Sequence, residues 1–190
     1  LLLTPVLPLA GGSGRSMRAW GWLIDLARDH CVHVLVTGGL PQGWGIPAGY
    51  PAASVLSLQA MVRPPGRRDR LLGALCPPLA LLSRRFMLDW SMPRGRIDPN
   101  LMPGTASVRR IVVFRAYLHA VAMQLFSLFP DAERTLDWDD LESGTRISLA
   151  KGLLRAGRPR PAAVHLAAAM QYRLVEGRLC RAYAETRLAS

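Results

Sequence analysis

The sequence predicts an α/β fold in which a parallel sheet carries helices on its faces. Short apolar segments without polar alternation are typical of strands that are buried on both faces. Longer segments with helical periodicity lie between them, and this alternation predicts βαβ units with right-handed crossovers. A glycine-rich turn, Gly11 to Arg15, joins the first strand to the first helix. Folds with this order place backbone N–H groups against a phosphate.

The strands are expected at the apolar segments 1–7, 32–37, 54–58, 110–115 and 135–138. The helices are expected at 17–29, 68–87, 118–129, 141–156 and 162–188. Pro159 and Pro161 precede the last helix, a pattern typical of helix starts, and no glycine ends it before the C-terminus. The expected whole is a single Rossmann-like domain over 1–190.

Two segments rich in glycine and proline, 38–51 and 91–107, are predicted to be long loops. Long ordered loops in such sheets often border a binding cleft. The chain opens on Leu1 directly in the first strand, and it stops where a further strand would follow the last helix. We therefore expect a fragment of a longer protein.

Composition narrows the class of protein. The 190 residues, half of them hydrophobic, suit one folded domain. The longest apolar run, 71–82, is interrupted by prolines and is shorter than the roughly 18 residues that a membrane span needs. Cys31, Cys76 and Cys180 are odd in number and far apart, which favours a reducing compartment, the cytoplasm.

The formal net charge of +11 is the strongest compositional bias. Arginine is spread along the chain rather than concentrated in a tail, so no nucleic-acid partner is expected. Docking on the inner face of an anionic membrane remains an alternative, because four arginines border an apolar helix. These are Arg63, Arg67, Arg68 and Arg70.

The turn Gly11-Gly12-Ser13-Gly14-Arg15 is the first candidate site. Glycines allow close approach of the backbone, and the helix that follows offers unpaired N–H groups with a partial positive charge. No Gly-Lys-Ser/Thr follows, so it is not a P-loop, and it lacks the spacing and the acidic residue of a dinucleotide fingerprint. A tight turn that binds nothing is the alternative.

An acidic cluster after the last predicted strand is the second candidate. Asp137, Asp139, Asp140 and Glu142 follow its carboxyl end, where open α/β sheets bind ligands. They can hold sugar hydroxyls or act as a base, whereas a metal site is disfavoured. Alternatively, Asp139 caps the next helix with Glu142 as its capping-box partner.

His119 follows the fourth predicted strand at the same edge, where it can exchange a proton or form a hydrogen bond near neutral pH. An ordinary residue in the first helical turn is the alternative. His30, His33 and His165 are interpreted as structural. No Gly-x-Ser-x-Gly, Cys-x-x-Cys or His-Glu-x-x-His motif is present, which disfavours those hydrolases and zinc modules.

Several of these motifs, in this order, resemble one family. A strand leads to Pro and Gly11-Gly12-x-x-Arg15, and a helix ends in His30-Cys31-Val32-His33-Val34. Arg115 then follows a strand, before Asp-x-Asp-Asp-x-Glu-Ser. The combination resembles the N-terminal domain of family 4 (group 1) glycosyltransferases, and the likeness spans nearly the whole chain.

The resemblance implies half of a GT-B enzyme of carbohydrate biosynthesis, with two Rossmann-like domains facing across a cleft. The N-terminal domain of such enzymes holds the sugar or lipid-linked acceptor. The C-terminal domain binds the nucleotide-sugar through a Glu-x7-Glu motif, transfer retains the anomeric configuration, and no metal or other cofactor is implied. This chain has no such motif, because Glu133/Glu142 and Glu176/Glu185 are each nine residues apart.

Carried over by position, the resemblance assigns roles to the candidate residues. His119 is the catalytic candidate. The acceptor-side candidates are Arg115, Asp137, Asp139, Asp140 and Glu142. The donor phosphates would approach Gly11, Gly12, Ser13, Gly14 and Arg15.

The expected function is thus the acceptor-binding domain of a retaining glycosyltransferase that is inactive without its donor-binding C-terminal domain. Two alternatives stay open. One is a non-catalytic Rossmann-like module that docks on a partner or a membrane. The other is an NAD(P)-binding domain.

Overall fold

The computed structural model describes residues 1–63, 96–102, 108–139 and 141–188. In chain order the strands are β1 (Leu2–Thr4), β2 (His33–Val36), β3 (Ser54–Ser57), β4 (Val62–Arg63), β5 (Arg96–Ile97), β6 (Arg110–Phe114), β7 (Glu133–Asp139) and β8 (Glu185–Leu188). Six of them form one sheet in the order β3-β2-β1-β6-β7-β8, and every neighbouring pair is parallel. The strands β4 and β5 form a short antiparallel ribbon.

Helices connect the strands and cover the sheet. Short 3-10 turns at Pro99–Leu101, Ala116–Leu118 and Cys180–Ala182 complete the connections. The α-helices are α1 (Gly14–Ala27), α2 (Leu58–Met61), α3 (His119–Leu128), α4 (Glu142–Arg155) and α5 (Pro159–Leu179).

Alternate residues of the strands feed two cores on opposite faces of the sheet, as the pleat requires. Leu2, Val34 and Val112 pack on the face that α1 covers with Trp22 and Leu23. On the other face, Leu3, Leu35 and Val113 pack against Val121 and Leu125 of α3. The fold is therefore a Rossmann-like α/β sandwich of three layers, which confirms the predicted fold class.

The structure confirms most predicted elements and shifts some bounds. The first strand is much shorter than 1–7, because Pro5 has no N–H to donate to a neighbouring strand. Helix α1 begins earlier than residue 17, because the Ser13 side chain caps it by accepting from the N–H of Ser16. Segment 38–51 is a loop, as predicted.

The last predicted helix, 162–188, is wrong in its last third. Helix α5 ends at Leu179, and residues 185–188 form β8, which pairs with β7. Gly177 lies within α5, and no glycine or proline occurs in residues 178–188, so local preference allows the helix to continue past Leu179. Residues 185–188 form a strand because they pair with the edge of β7, whose unpaired backbone groups are a template for another strand.

Two more expectations need correction. Asp139 is not a helix cap, because it is the last residue of β7 and Leu141 occupies the cap position of α4. Segment 91–107 is not all loop, because β5 and a 3-10 turn lie within its described part. The predicted helix 68–87 lies outside the described residues.

Helices α4 and α5 form an antiparallel pair, called here the α4–α5 hairpin, between β7 and β8. The turn between them is a Schellman motif centred on Gly157, whose φ is +69°. The N–H of Gly157 donates to the carbonyl of Leu154, and that of Arg158 to the carbonyl of Leu153. Within the described residues, no helix combines the length and apolar character that crossing a membrane requires.

Candidate functional site

The candidate site lies at the carboxyl edge of the sheet, where β1 and β6 are neighbours. From β1 the chain winds to β2 through α1 on one face, and from β6 it winds to β7 through α3 on the other. The two connections therefore leave the sheet in opposite directions and open a crevice between them. Open α/β sheets bind ligands at such switch points.

The turn after β1 lies beside this crevice. All five residues from Gly11 to Arg15 are exposed. Gly12 has a φ of +118°, a backbone conformation that is unfavourable for any residue with a side chain. The Ser16 hydroxyl donates to the carbonyl of Leu7 at 2.6 Å and fixes the turn to the loop before it. The turn therefore presents the N-terminus of α1 to solvent on a fixed backbone.

Gly38 allows the loop after β2 to lie against the loop after β1. A Cβ atom at this position would collide with the carbonyl oxygen of Pro5, which accepts from the Gly38 N–H at 3.1 Å. The loops that follow β1 and β2 can approach this closely only because residue 38 is glycine.

Arg115 follows β6 at the opposite side of the crevice. Its φ of 98° and ψ of 130° lie in a region that residues with a side chain rarely adopt. The residue is buried, its N–H donates to the carbonyl of Asp137 at 2.8 Å, and its guanidinium lies 5.7 Å from the Phe114 ring centroid. Backbone strain of this kind concentrates at functional sites.

Asp137 lies on β7 with its side chain toward α1, and only 1% of that side chain is exposed. Arg18 binds it through two hydrogen bonds, Nε to Oδ2 at 3.0 Å and Nη2 to Oδ1 at 2.8 Å. The indole N–H of Trp22 also donates to Oδ2. This buried fork holds α1 on the sheet and leaves the carboxylate turned inward, so acceptor binding by Asp137 stays a prediction.

A groove of about 740 Å³ opens beside this ion pair, between α1 and β8. Arg187 of β8 stands opposite Asp137 in the strand register. Its guanidinium lies 4.5 Å from the Trp22 ring centroid, and its Nε donates to Glu185 at 2.7 Å. The groove lining carries both signs of charge, and its charged residues are Arg18, Arg28, Arg187, Asp25 and Asp137. Arg18 and Arg187 are each hydrogen-bonded to a carboxylate.

His119 begins α3, and its side chain joins an aromatic cluster. Its Nδ1 lies 2.9 Å from the hydroxyl of Tyr183, and its ring packs on Phe126. Burial raises the pKa of Tyr183, so this phenol stays protonated. The contact ties the start of α3 to the segment before β8, and a catalytic role for His119 stays a prediction.

The remaining acidic candidates are placed only by the elements to which they belong. Asp139 ends β7, Glu142 begins α4, and Asp140 lies outside the described residues. Among residues 1–63, 96–102, 108–139 and 141–188, no three His, Cys, Asp or Glu side chains come together as a metal site requires.

The N-terminus of α4 is capped from another helix. The carboxylate of Glu176 on α5 accepts from the Ser143 N–H at 3.1 Å and from its hydroxyl at 2.9 Å. A negative charge here also favours the helix dipole. Glu176 therefore fixes the base of the α4–α5 hairpin at the carboxyl edge of the sheet.

Sequence reasoning missed Arg18, Trp22 and Glu176. A signal for the first exists: Arg18, Trp22 and Leu26 are four residues apart and share one face of α1. A cation on the buried face of a helix requires a buried anion nearby. Nothing local indicates that the partner is Asp137.

The carboxyl edge thus combines an exposed glycine turn at a helix start with a strained arginine after the neighbouring strand. Such an arrangement can bind an anionic ligand through backbone N–H groups and guanidinium groups. Comparison of the chain with protein-family models, curated proteins and solved structures gave no match.

Proposed function

We propose that this chain is the acceptor-side half of a GT-B glycosyltransferase that uses a nucleotide diphosphate sugar and retains the anomeric configuration. The proposal rests on two features that lie at the same carboxyl edge of the sheet. The exposed turn from Gly11 to Arg15 follows β1, and the strained Arg115 follows β6, its neighbour.

A diphosphate fits this edge chemically. The exposed N-terminus of α1 carries a partial positive charge, and Arg15 adds a full one. The buried pair between Arg18 and Asp137 anchors the same helix to the sheet, so its first turn is held in place before a ligand arrives. Preorganised donors of this kind stabilise charge that develops on a leaving phosphate.

In the proposed reaction, the bond between the anomeric carbon and the donor phosphate oxygen breaks. The acceptor hydroxyl oxygen bonds to that carbon, and its proton passes to the departing phosphate oxygen. The charge left on the nucleotide diphosphate is stabilised by the α1 N-terminus and by groups of a second domain across the cleft. Transfer is accordingly expected only when that second domain is supplied.

Binding of the donor to this chain alone tests the proposal. We expect UDP-glucose or GDP-mannose to shift the backbone amide resonances of residues 11–15 in a nitrogen-15 NMR titration. Arg15→Ala is expected to weaken that binding by about tenfold, since it removes one charged hydrogen bond to phosphate. Arg28→Ala, an exposed arginine at the other end of α1, is the matched control.

Two results would contradict the proposal. One is the absence of shifts at residues 11–15 with either sugar nucleotide. The other is an equal loss of affinity in Arg15→Ala and Arg28→Ala, which reports only the net charge. Tighter binding of NAD(P) than of sugar nucleotides would instead assign the edge to a dinucleotide.

A further inference from the structure

Helix α5 carries an apolar stripe that faces solvent. Leu166, Met170 and Leu174 are four residues apart, so they lie along one side of the helix. Their exposed fractions are 41%, 70% and 75%. Val164 on the same helix and Leu149 and Leu154 on α4 are exposed as well. Soluble domains rarely expose so many large apolar side chains on one element, and such clusters mark interaction sites.

The same hairpin is strongly basic. Between Glu142 and Glu176 the sequence has no aspartate or glutamate. Four exposed cations, Lys151, Arg155, Arg158 and Arg160, surround the turn of the hairpin. Arg173 lies next to Leu174 and is also exposed. Between these two glutamates, which lie at the base of the hairpin, all charged residues are basic, and they accompany the exposed apolar side chains.

This combination selects among possible occupants. A second copy of the hairpin would bring like charges together. A nucleic acid would match the charge but would leave the apolar stripe against phosphates. An anionic bilayer matches both properties, because its head groups are negative and its acyl chains lie a few ångströms below them.

We propose that the α4–α5 hairpin is a docking surface for an anionic lipid membrane. The apolar stripe of α5 enters the boundary between head groups and acyl chains to a depth of roughly 5–10 Å. The arginines at the hairpin turn contact lipid phosphates. Glu176, which caps α4, fixes the base of the hairpin, so the surface is presented as a rigid unit.

This surface differs from the basic segment that the sequence indicates. Of that segment, Arg67, Arg68 and Arg70 lie outside the described residues, and Arg63 ends β4. Docking through the hairpin is independent of the proposed sugar transfer, since it requires neither the glycine turn nor Arg115.

Co-sedimentation with lipid vesicles tests the docking surface. We expect the full chain to bind vesicles of phosphatidylcholine and phosphatidylglycerol, and to bind pure phosphatidylcholine far more weakly. Arg155→Glu with Arg158→Glu is expected to lower binding by more than about tenfold, because each basic residue near the surface contributes appreciably. The matched control, Arg28→Glu with Arg109→Glu, makes the same change in net charge away from the hairpin and is expected to have little effect.

A second variant separates lipid insertion from charge. Met170→Gln with Leu174→Gln leaves the charge unchanged and alters exposed side chains, so the fold is retained. It is expected to lower vesicle binding by about tenfold through loss of apolar burial.

The proposal is overturned if the unaltered chain ignores anionic vesicles, if both charge variants lose binding equally, or if the glutamine variant binds like the unaltered chain. A dimer of the unaltered chain in light scattering that the glutamine variant dissociates would assign the stripe to a second copy. Equal binding to polyglutamate would assign the hairpin to an acidic protein.

Discussion

Strand β7 carries an arginine–carboxylate pair near each end, and the two pairs differ in environment. At the amino end, Arg110 contacts one oxygen of Glu133 at 2.6 Å, with 34% and 44% of the two side chains exposed. Toward the carboxyl end, Arg18 uses two nitrogens on two oxygens of Asp137, with 30% and 1% exposed. The two ion pairs therefore use the same charged groups, but the carboxylate is solvent-exposed in Glu133 and buried in Asp137.

The difference shows what each pair can contribute. Arg110 and Glu133 already face each other in the register of β6 and β7, so their pair adds little order. Arg18 and Asp137 are 119 residues apart, and their ion pair connects α1 to β7, which is distant from α1 in the chain. A surface pair is weak, whereas a buried pair is costly to break.

Removing the buried carboxylate should have the largest effect. Asp137→Ala leaves the Arg18 guanidinium and the Trp22 indole N–H without their shared acceptor, so we expect the free energy of unfolding to fall by about 3 kcal/mol. Urea denaturation followed by circular dichroism measures this change. A loss below about 1 kcal/mol would mean that the carboxylate does not hold α1 in the folded protein.

Removing one donor to that carboxylate should have an intermediate effect. Trp22→Phe keeps an aromatic ring but deletes the indole N–H, and we expect a loss of about 1–2 kcal/mol. Trp20→Phe is the matched control, because Trp20 is two residues away, is only partly buried and contacts Tyr50. Equal losses in the two variants would show that ring volume, not the hydrogen bond to Asp137, accounts for the change.

Removing the exposed carboxylate should have the smallest effect. Glu133→Ala is expected to cost less than about 1 kcal/mol, because water solvates both partners in the folded and unfolded chain. High salt should shrink this loss further, whereas it should leave the Asp137→Ala loss nearly unchanged. Denaturation curves at low and high salt measure the stability losses of both variants. A loss for Glu133→Ala as large as that for Asp137→Ala would contradict the difference between the two ion pairs.

Sequence reasoning succeeded where a pattern is local. Short apolar runs indicated β2 and β6, because strands buried on both faces need apolar side chains. Helices α1 and α5 are predicted as well, although each prediction starts three residues too late, at 17 and 162 instead of Gly14 and Pro159. These signals depend on residues that are close in the chain, so they can be interpreted without a partner.

Sequence reasoning failed where the conformation or environment of a segment depends on a partner that is distant in the chain. Strand β8 has no local signal to distinguish it from the end of α5, and only pairing with β7 makes it a strand. The cap of α4 comes from Glu176, not from the nearby Asp139, because the hairpin brings that carboxylate to the Ser143 N–H. The exposed stripe of α5 is similar, since helical periodicity cannot tell whether another element covers it.

Local patterns in the chain are sufficient to predict the α/β class, the parallel sheet and the glycine turn at the start of α1. These features depend on short-range patterns of hydrophobicity and backbone conformation. Which charges are buried and which apolar side chains face solvent depends instead on the packing of the folded chain. The free energy of a charge or an apolar surface depends on what lies next to it in space. For Asp137 and for the α4–α5 hairpin, that neighbourhood is assembled from distant parts of the chain.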